Sequence, residues 1–415
     1  MLQTKSRRAI ARGAIVFRPM LTRWVPLLAI WAWGLQPLKP AFAIDGDPLR
    51  LILAETLTHD DNVFRAPASF TPLSDTITST SVGLTLDTHL SLQHVHLEAF
   101  SNSSRYDRLR YLNNTGSRYQ AAWQGQLGDS LKIDASWNRT QSLAGFADFR
   151  STIKNIVTTE NDLIRLRYLI TPDWSLIASG THGSNINGTA TNAVSNSRTD
   201  SGEFGLQYDS TLGNRIGIVT RETRGRYPNL EFVPGLSLVD NSYREKEIEV
   251  NVLWAPSVVS QLGFSVGKTR RDHNDIPQRN FSGTVASVSY DWIPSTMAAI
   301  NIYLRRDLGA QNIFLANYAV TRSMGIAPRW SPTQKITLQA RAERRLREFG
   351  GDPRFAISTA SVPTDTTNSY SLSAQYAATS AVLLSAFLQH DVRVSTDPTL
   401  PYDFTSAAMT LQFIF

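Results

Sequence analysis

Arginines recur at alternate positions in this chain, interleaved with apolar residues. Arg165 and Arg167 alternate with Ile164, Leu166 and Tyr168, and Arg341, Arg345 and Arg347 share a parity with Glu343. Arg221, Glu247, Glu249 and Arg305 sit in similar alternating stretches. A guanidinium grips carboxylate or phosphate as a bidentate fork and stays charged at any relevant pH. Such a row either attracts an anion or pairs with acids on neighbouring strands and stiffens a wall. His94 and His96 share a parity two residues apart, a spacing that suits metal ligation. No third ligand lies nearby in sequence, so no metal site is expected. Asp60-Asp61-Asn62 offers oxygens suited to calcium, but a solvated loop tip or a capped turn is the plainer reading. His59 beside Asp60 and Asp61 is the one acid–base grouping. The chain has neither G-x-S-x-G nor H-E-x-x-H, so neither an enzyme nor a cofactor is expected.

The elements that must carry these residues are strands. Segments of about ten residues alternate apolar and polar, the signature of a membrane-spanning barrel. Ile336, Leu338, Ala340, Ala342 and Leu346 share one face of such a segment, and only Arg344 breaks the pattern. Ala298, Ile300, Ile302 and Leu304 behave alike, as do Ile248, Val250 and Val252. Parity slips between His94 and Val95, where a bulge is one explanation.

Turns repeat with a fixed spacing. Trp254-Ala-Pro, Trp292-Ile-Pro and Trp330-Ser-Pro are spaced 38 residues apart, and Ile170-Thr-Pro-Asp is built alike. Proline presets φ and cannot donate to a ladder, so it suits a tight connection. Weaker equivalents lie at Asp87-Thr88, Gly128-Asp129, Leu212-Gly213-Asn214 and Ala377 to Ser380. Trp123, Tyr168, Tyr208, Trp254, Trp292, Trp330 and Tyr376 each precede a short turn, and Phe415 falls 39 residues after Tyr376 in the same phase. Rings at one end of successive strands form an interfacial girdle. The other connections are long and polar, such as Ser101 to Gly116, Gly225 to Asn241, Arg271 to Asn280 and Phe349 to Thr367. The fold expected is all-β: an antiparallel up-and-down transmembrane barrel of about 18 strands, with 16 as the alternative. A barrel of that size leaves a polar lumen, lined by Arg165, Arg167, Arg221, Glu247, Glu249, Arg305, Arg341, Arg345 and Arg347.

Residues 1–43 read as a cleaved signal peptide. Six basic residues from Lys5 to Arg23 precede an apolar stretch from Trp24 to Leu35, and Ala41-Phe42-Ala43 is a small-x-small cleavage site. Met20 is an alternative start. Residues 44–415 form the barrel domain. The leader carries seven of the 41 basic residues and no acid. Subtracting them leaves 34 against 35 acids, a net charge of −1, so global basicity gives no nucleic-acid reading. There is no cysteine, hence no disulfide framework.

Met409, Leu411, Phe413 and Phe415 alternate with Thr410, Gln412 and Ile414, and the sequence stops on Phe415. This end resembles the signal by which the barrel-assembly machinery recognises its clients, although the glycine usual upstream is absent. The start of the barrel domain carries a second resemblance. A strand leading into Asp60, Asp61, Asn62 and Arg65 resembles the opening of the exosortase-associated exopolysaccharide-biosynthesis outer-membrane proteins, part of a broader group of barrel porins. That resemblance implies a Gram-negative outer-membrane location. It also implies a role in exporting or assembling an extracellular polysaccharide, with an anionic polymer and periplasmic export components as partners beside outer-membrane lipid and lipopolysaccharide. Two other readings stay open: a general or solute-selective diffusion porin, and a plugged barrel that anchors an envelope assembly.

Overall fold

The computed structural model describes residues 48–148, 152–233, 237–313, 316–350 and 364–415. The expected leader over residues 1–43 lies outside them, as do residues 351–363 of one long connection.

Eighteen strands form one antiparallel sheet. Each pairs with its neighbour in sequence, and the first strand, Leu49–Asp60, pairs with the last, Tyr402–Ile414. The sheet is therefore a closed barrel, the architecture and strand number expected. Closure leaves no edge, so backbone donors and acceptors are matched around the ring, which a bilayer requires. Two short strands, Glu231–Val233 and Ser237–Val239, pair apart from the barrel in an extracellular loop.

Alternation decides which face is which. Ile302, Leu304, Met324, Ile326, Leu372, Leu384, Leu411 and Phe413 are large, apolar and exposed on the outer face. In a soluble protein so much exposed apolar surface would drive association; here it meets lipid. The opposite parity carries Arg341, Glu343, Arg345, Arg347 and Phe349: Arg341 and Arg345 pair with Glu343, Arg347 pairs with Asp365 of the next strand, and Phe349 packs on Ala319 inside the ring. All eight expected girdle residues fall on the outward parity beside short turns. Tyr168, Trp254, Trp292, Trp330, Tyr376 and Phe415 are exposed. Trp123 is half-buried, its indole donating to Gln93 Oε1 at 2.8 Å. Tyr208 packs 5.1 Å from Trp174, a further girdle ring.

Five of the eight short turns lie where expected, and three are displaced. Trp254-Ala-Pro and Trp292-Ile-Pro lie within the strands Tyr243–Ser257 and Phe281–Ser295, and the chain reverses just past them at Val258-Val259 and Thr296-Met297. Asp87-Thr88 lies within the strand Asp75–Leu90, and the chain reverses at Ser91-Leu92, where Ser91 has φ of 56°. Leu90 pairs with Gln93, and the pairing from there to Tyr106 runs without a bulge. The apparent slip in parity near His94 is therefore the mark of an apolar turn. The longer connections are shorter than the sequence suggests because their strands run on: Gln93–Tyr106 enters the stretch expected as loop from Ser101.

Candidate functional site

The candidate site is the lumen, and its lining begins with the arginines. Arg221 pairs with Glu203 and, at 2.9 Å, with Glu247. Arg271 pairs with Glu245 at 2.7 Å, both buried, with its guanidinium over the Tyr243 ring. Arg167 and Arg215 share Asp209. Arg341 and Arg345 share Glu343, which also accepts from the Tyr303 hydroxyl. Tyr303 reaches Glu343 across the strand between them because Gly325 lies under its ring; a Cβ there would come within 2.5 Å of Tyr303 Cζ. Arg305 is looser, 3.6 Å from Asp307. Arg165 faces Asp134 in register, and Glu249 is buried in the wall. The nine residues expected to line the lumen all point inward. Arg167, Arg221, Arg305, Arg341, Arg345, Arg347 and Glu247 do so as members of ion pairs.

The lumen narrows toward its extracellular end. Thr56, Asp60, Asp75, Thr223, Thr269, Thr321, Arg347, Asp365, Asp391 and Arg393 are buried there. Chain from the long connections covers several of them, among them Asp60, Asp75, Arg347 and Arg393. The segment after Leu131–Leu143 folds inward, and its Phe146 joins Val63 and Leu112 in a small apolar cluster. Ala147 packs with Tyr402 and Phe404. Asp148 then meets two guanidiniums: Arg347 at 3.1 Å and Arg393 at 3.1 Å. Those arginines belong to Ile336–Gly350 and Val382–Ser395, eight and six places around the ring of eighteen from Leu131–Leu143. The segment therefore spans the bore. Arg393 also donates to the Ala147 carbonyl at 2.9 Å, and both arginines share the fully buried Asp365. Burial alone would raise the Asp148 carboxyl, but Arg347 and Arg393 outweigh it and hold it at about 2. Sequence reasoning placed Arg347 in the lumen but missed Asp148, Asp365 and Arg393.

The motif Asp60, Asp61, Asn62 and Arg65 forms a clasp. Arg65 donates both terminal nitrogens to Asp60 at 2.8 Å, and the Asn62 backbone N–H donates to Asp60 Oδ1 at 2.9 Å. The Asn62 side-chain amide donates to the carbonyls of Ala66 and Asp403. Asp61 accepts from the Thr405 backbone N–H at 2.8 Å. The Arg65 guanidinium lies 3.5 Å above the Phe404 ring. Asp60, Asn62 and Arg65 are buried, so the solvated tip expected here is instead a structural tie between the first long connection and the start of the last strand. The capped turn offered beside it describes the local geometry better.

No family model matches the chain, and no curated protein matches it. Solved structures do resemble it. OccK2 (OpdF) of Pseudomonas aeruginosa is 10% identical, with 88% of this chain covering 97% of that one at a TM-score of 0.50. The outer membrane protein OpdK of Pseudomonas aeruginosa is 9% identical over 88% and 98%, with a TM-score of 0.48. OprD of Pseudomonas aeruginosa is 11% identical over 89% and 94%, with a TM-score of 0.47. The likeness to OccK2 speaks for the barrel fold alone. The comparisons give no support to the narrower exopolysaccharide family. A closed ring with an apolar outer band and an aromatic girdle is a protein of the Gram-negative outer membrane.

Proposed function

We propose that this chain is a passive diffusion channel for small polar solutes, constricted in the extracellular half of its lumen. The observation that carries the reading is the stretch from Ala144 to Asp148, which crosses the bore and is bonded to Arg347 and Arg393 on the far wall. A fixed crossing segment divides the lumen, which suits small solutes better than a polymer threading as a continuous strand. The wall charges are largely matched, so the channel discriminates weakly between anions and cations. Export of a polysaccharide rests on the sequence resemblance alone, and the clasp accounts for the residues that carry that resemblance.

Two partners follow from the same reading. Lys268, Arg306, Arg322 and Arg344 form an outward basic row on four of five consecutive strands, beside apolar Val288, Leu304 and Met324. That row suits the phosphates of an outer-leaflet glycolipid such as lipopolysaccharide. The last strand, ending on Phe415, is the handle for the barrel-assembly machinery.

Planar-bilayer recording tests the function. Purified barrel should give discrete conductance steps with a reversal potential near zero across a salt gradient. Absence of any conductance would overturn the channel and favour a plugged scaffold. Strong anion selectivity, with block by anionic oligosaccharide, would favour the exporter.

A further inference from the structure

Three of the chain's seven histidines lie within eight residues of one another on a single hairpin, His89, His94 and His96. The hairpin joins Asp75–Leu90 to Gln93–Tyr106 through the two-residue turn Ser91-Leu92. His89 stands directly opposite His94 in register, and Asp87 directly opposite His96. All four side chains share the inward parity at the periplasmic mouth of the lumen. Directly opposed residues on one face of an antiparallel pair hold their Cβ atoms about 5 Å apart. Two imidazoles at that spacing can close on one ion.

The surroundings go further than a bare pair. One ligand atom each from Asp87, His89 and His94 lies within 4.8 Å of the others. Ligands on a tetrahedral zinc ion sit about 3.4 Å apart, from bond lengths of about 2.1 Å, so modest rotation of the side chains brings the three together. The two imidazoles stack parallel, with centroids 4.1 Å apart, which keeps His89 beside its neighbour. Asp87 is already oriented: Oδ1 is 2.9 Å from His94 Nε2, and Oδ2 is 3.0 Å from His96 Nδ1. His96 is fixed in turn by Glu98 at 2.8 Å, and Glu98 lies 3.5 Å from Arg118. A ligand carboxylate braced by a histidine, itself braced by a second carboxylate, is the outer support that metal sites use.

We infer that Asp87, His89 and His94 form a divalent transition-metal site at the periplasmic mouth of the lumen. Imidazole nitrogen with one carboxylate selects a borderline ion such as Zn²⁺, rather than Ca²⁺ or Mg²⁺, which prefer oxygen throughout. Three protein ligands leave a coordination position open toward the lumen. His96 and Glu98 orient the set from behind. The inference stands apart from the channel reading, since an ion can seat on this hairpin whether or not the pore conducts.

The test uses tag-free, folded barrel in detergent, titrated with Zn²⁺ by calorimetry, with bound metal counted after dialysis. Wild type should retain one equivalent. His89→Ala combined with His94→Ala should retain none, and His96→Gln should weaken binding about 10–100-fold. His182→Ala with His390→Ala, on outward-facing histidines, should leave it unchanged. Heat-modifiable migration on a gel verifies that each variant is folded. X-ray absorption at the zinc edge should find two imidazoles around the ion. Retention by the His89/His94 variant equal to wild type, no stoichiometric binding by wild type, or an edge spectrum without imidazole would each overturn the site.

Discussion

Asp148 keeps its charge far into acid because two guanidiniums face it. Its carboxyl, held at about 2 against an ordinary 3.8, favours docking of the crossing segment above the ordinary value. That contribution is lost as pH falls through about 2. Channel conductance should therefore be flat from about pH 7 to about pH 4 and become larger or noisier only below about pH 3. A step near pH 5 or 6 would show that another group holds the segment. Asp148→Ala removes the anchor at every pH and should raise conductance at neutral pH, read from single-channel step size. Arg65 belongs to the same scale. Its bidentate bond to Asp60 is buried, so Arg65→Ala strands a carboxylate and should cost about 3–5 kcal/mol. A lowered urea midpoint of the folded barrel would register that loss. The sequence identified Asp60, Asp61, Asn62 and Arg65 as a unit and read the first three as a solvated tip or a capped turn, with no sign of their burial. Their burial depends on Asp403, Phe404 and Thr405, which lie more than three hundred residues away along the chain. No local pattern encodes that meeting.

Strands were the most legible elements. Alternation and the recurrent aromatic-x-Pro turns are local consequences of a two-residue period and a fixed repeat, so they can be read directly. Ser91-Leu92 shows where that reading stops. Asp87-Thr88 has turn-like composition, whereas the real turn contains a serine in the left-handed region and a leucine. Had the turn been placed there, Asp87 and His89 would have fallen opposite His96 and His94, and the missing third ligand would have been visible. The crossing segment was illegible for a different reason. Asp148 and Arg393 are separated by 245 residues, and neither stands in a motif. At the element scale, Phe415 exchanges backbone bonds with Leu51 at 2.9 and 3.0 Å, beyond the last residue of the final strand. Deleting Phe415 removes both bonds and a girdle ring. The variant should accumulate more slowly in the membrane, followed as the heat-modifiable fraction over time, while assembly at the wild-type rate would remove the role given to the terminal ring.

The whole molecule is a ring whose inner charges nearly cancel and whose outer face is apolar below and charged above. Cancellation makes the wall rigid as well as unselective, since each shared acid ties two strands. Asp365 is the clearest case, shared by Arg347 and Arg393 on the strands to either side, whereas Glu343 holds Arg341 and Arg345 of its own strand and Tyr303 two strands away. Arg341→Gln with Arg345→Gln leaves the buried Glu343 carboxylate without a cation. The reversal potential should then move toward cation preference, and stability should fall by about 3 kcal/mol. An unchanged reversal potential would place Glu343 outside the path of the ions.

The junction of first and last strands is tied at both ends, by Leu51 and Phe415 below and by the clasp of Asp60, Asn62 and Arg65 above. Until its first and last strands pair, such a sheet has two bare edges, each able to template on a neighbouring molecule. Ladder bonds are generic and would accept that neighbour. The clasp is not generic, because it demands the carbonyl of Asp403, the ring of Phe404 and the N–H of Thr405 in one place. It thus acts as a self-recognition tag, favouring closure of a chain upon itself over exchange of strands between chains, and it can engage only when the last strand has arrived.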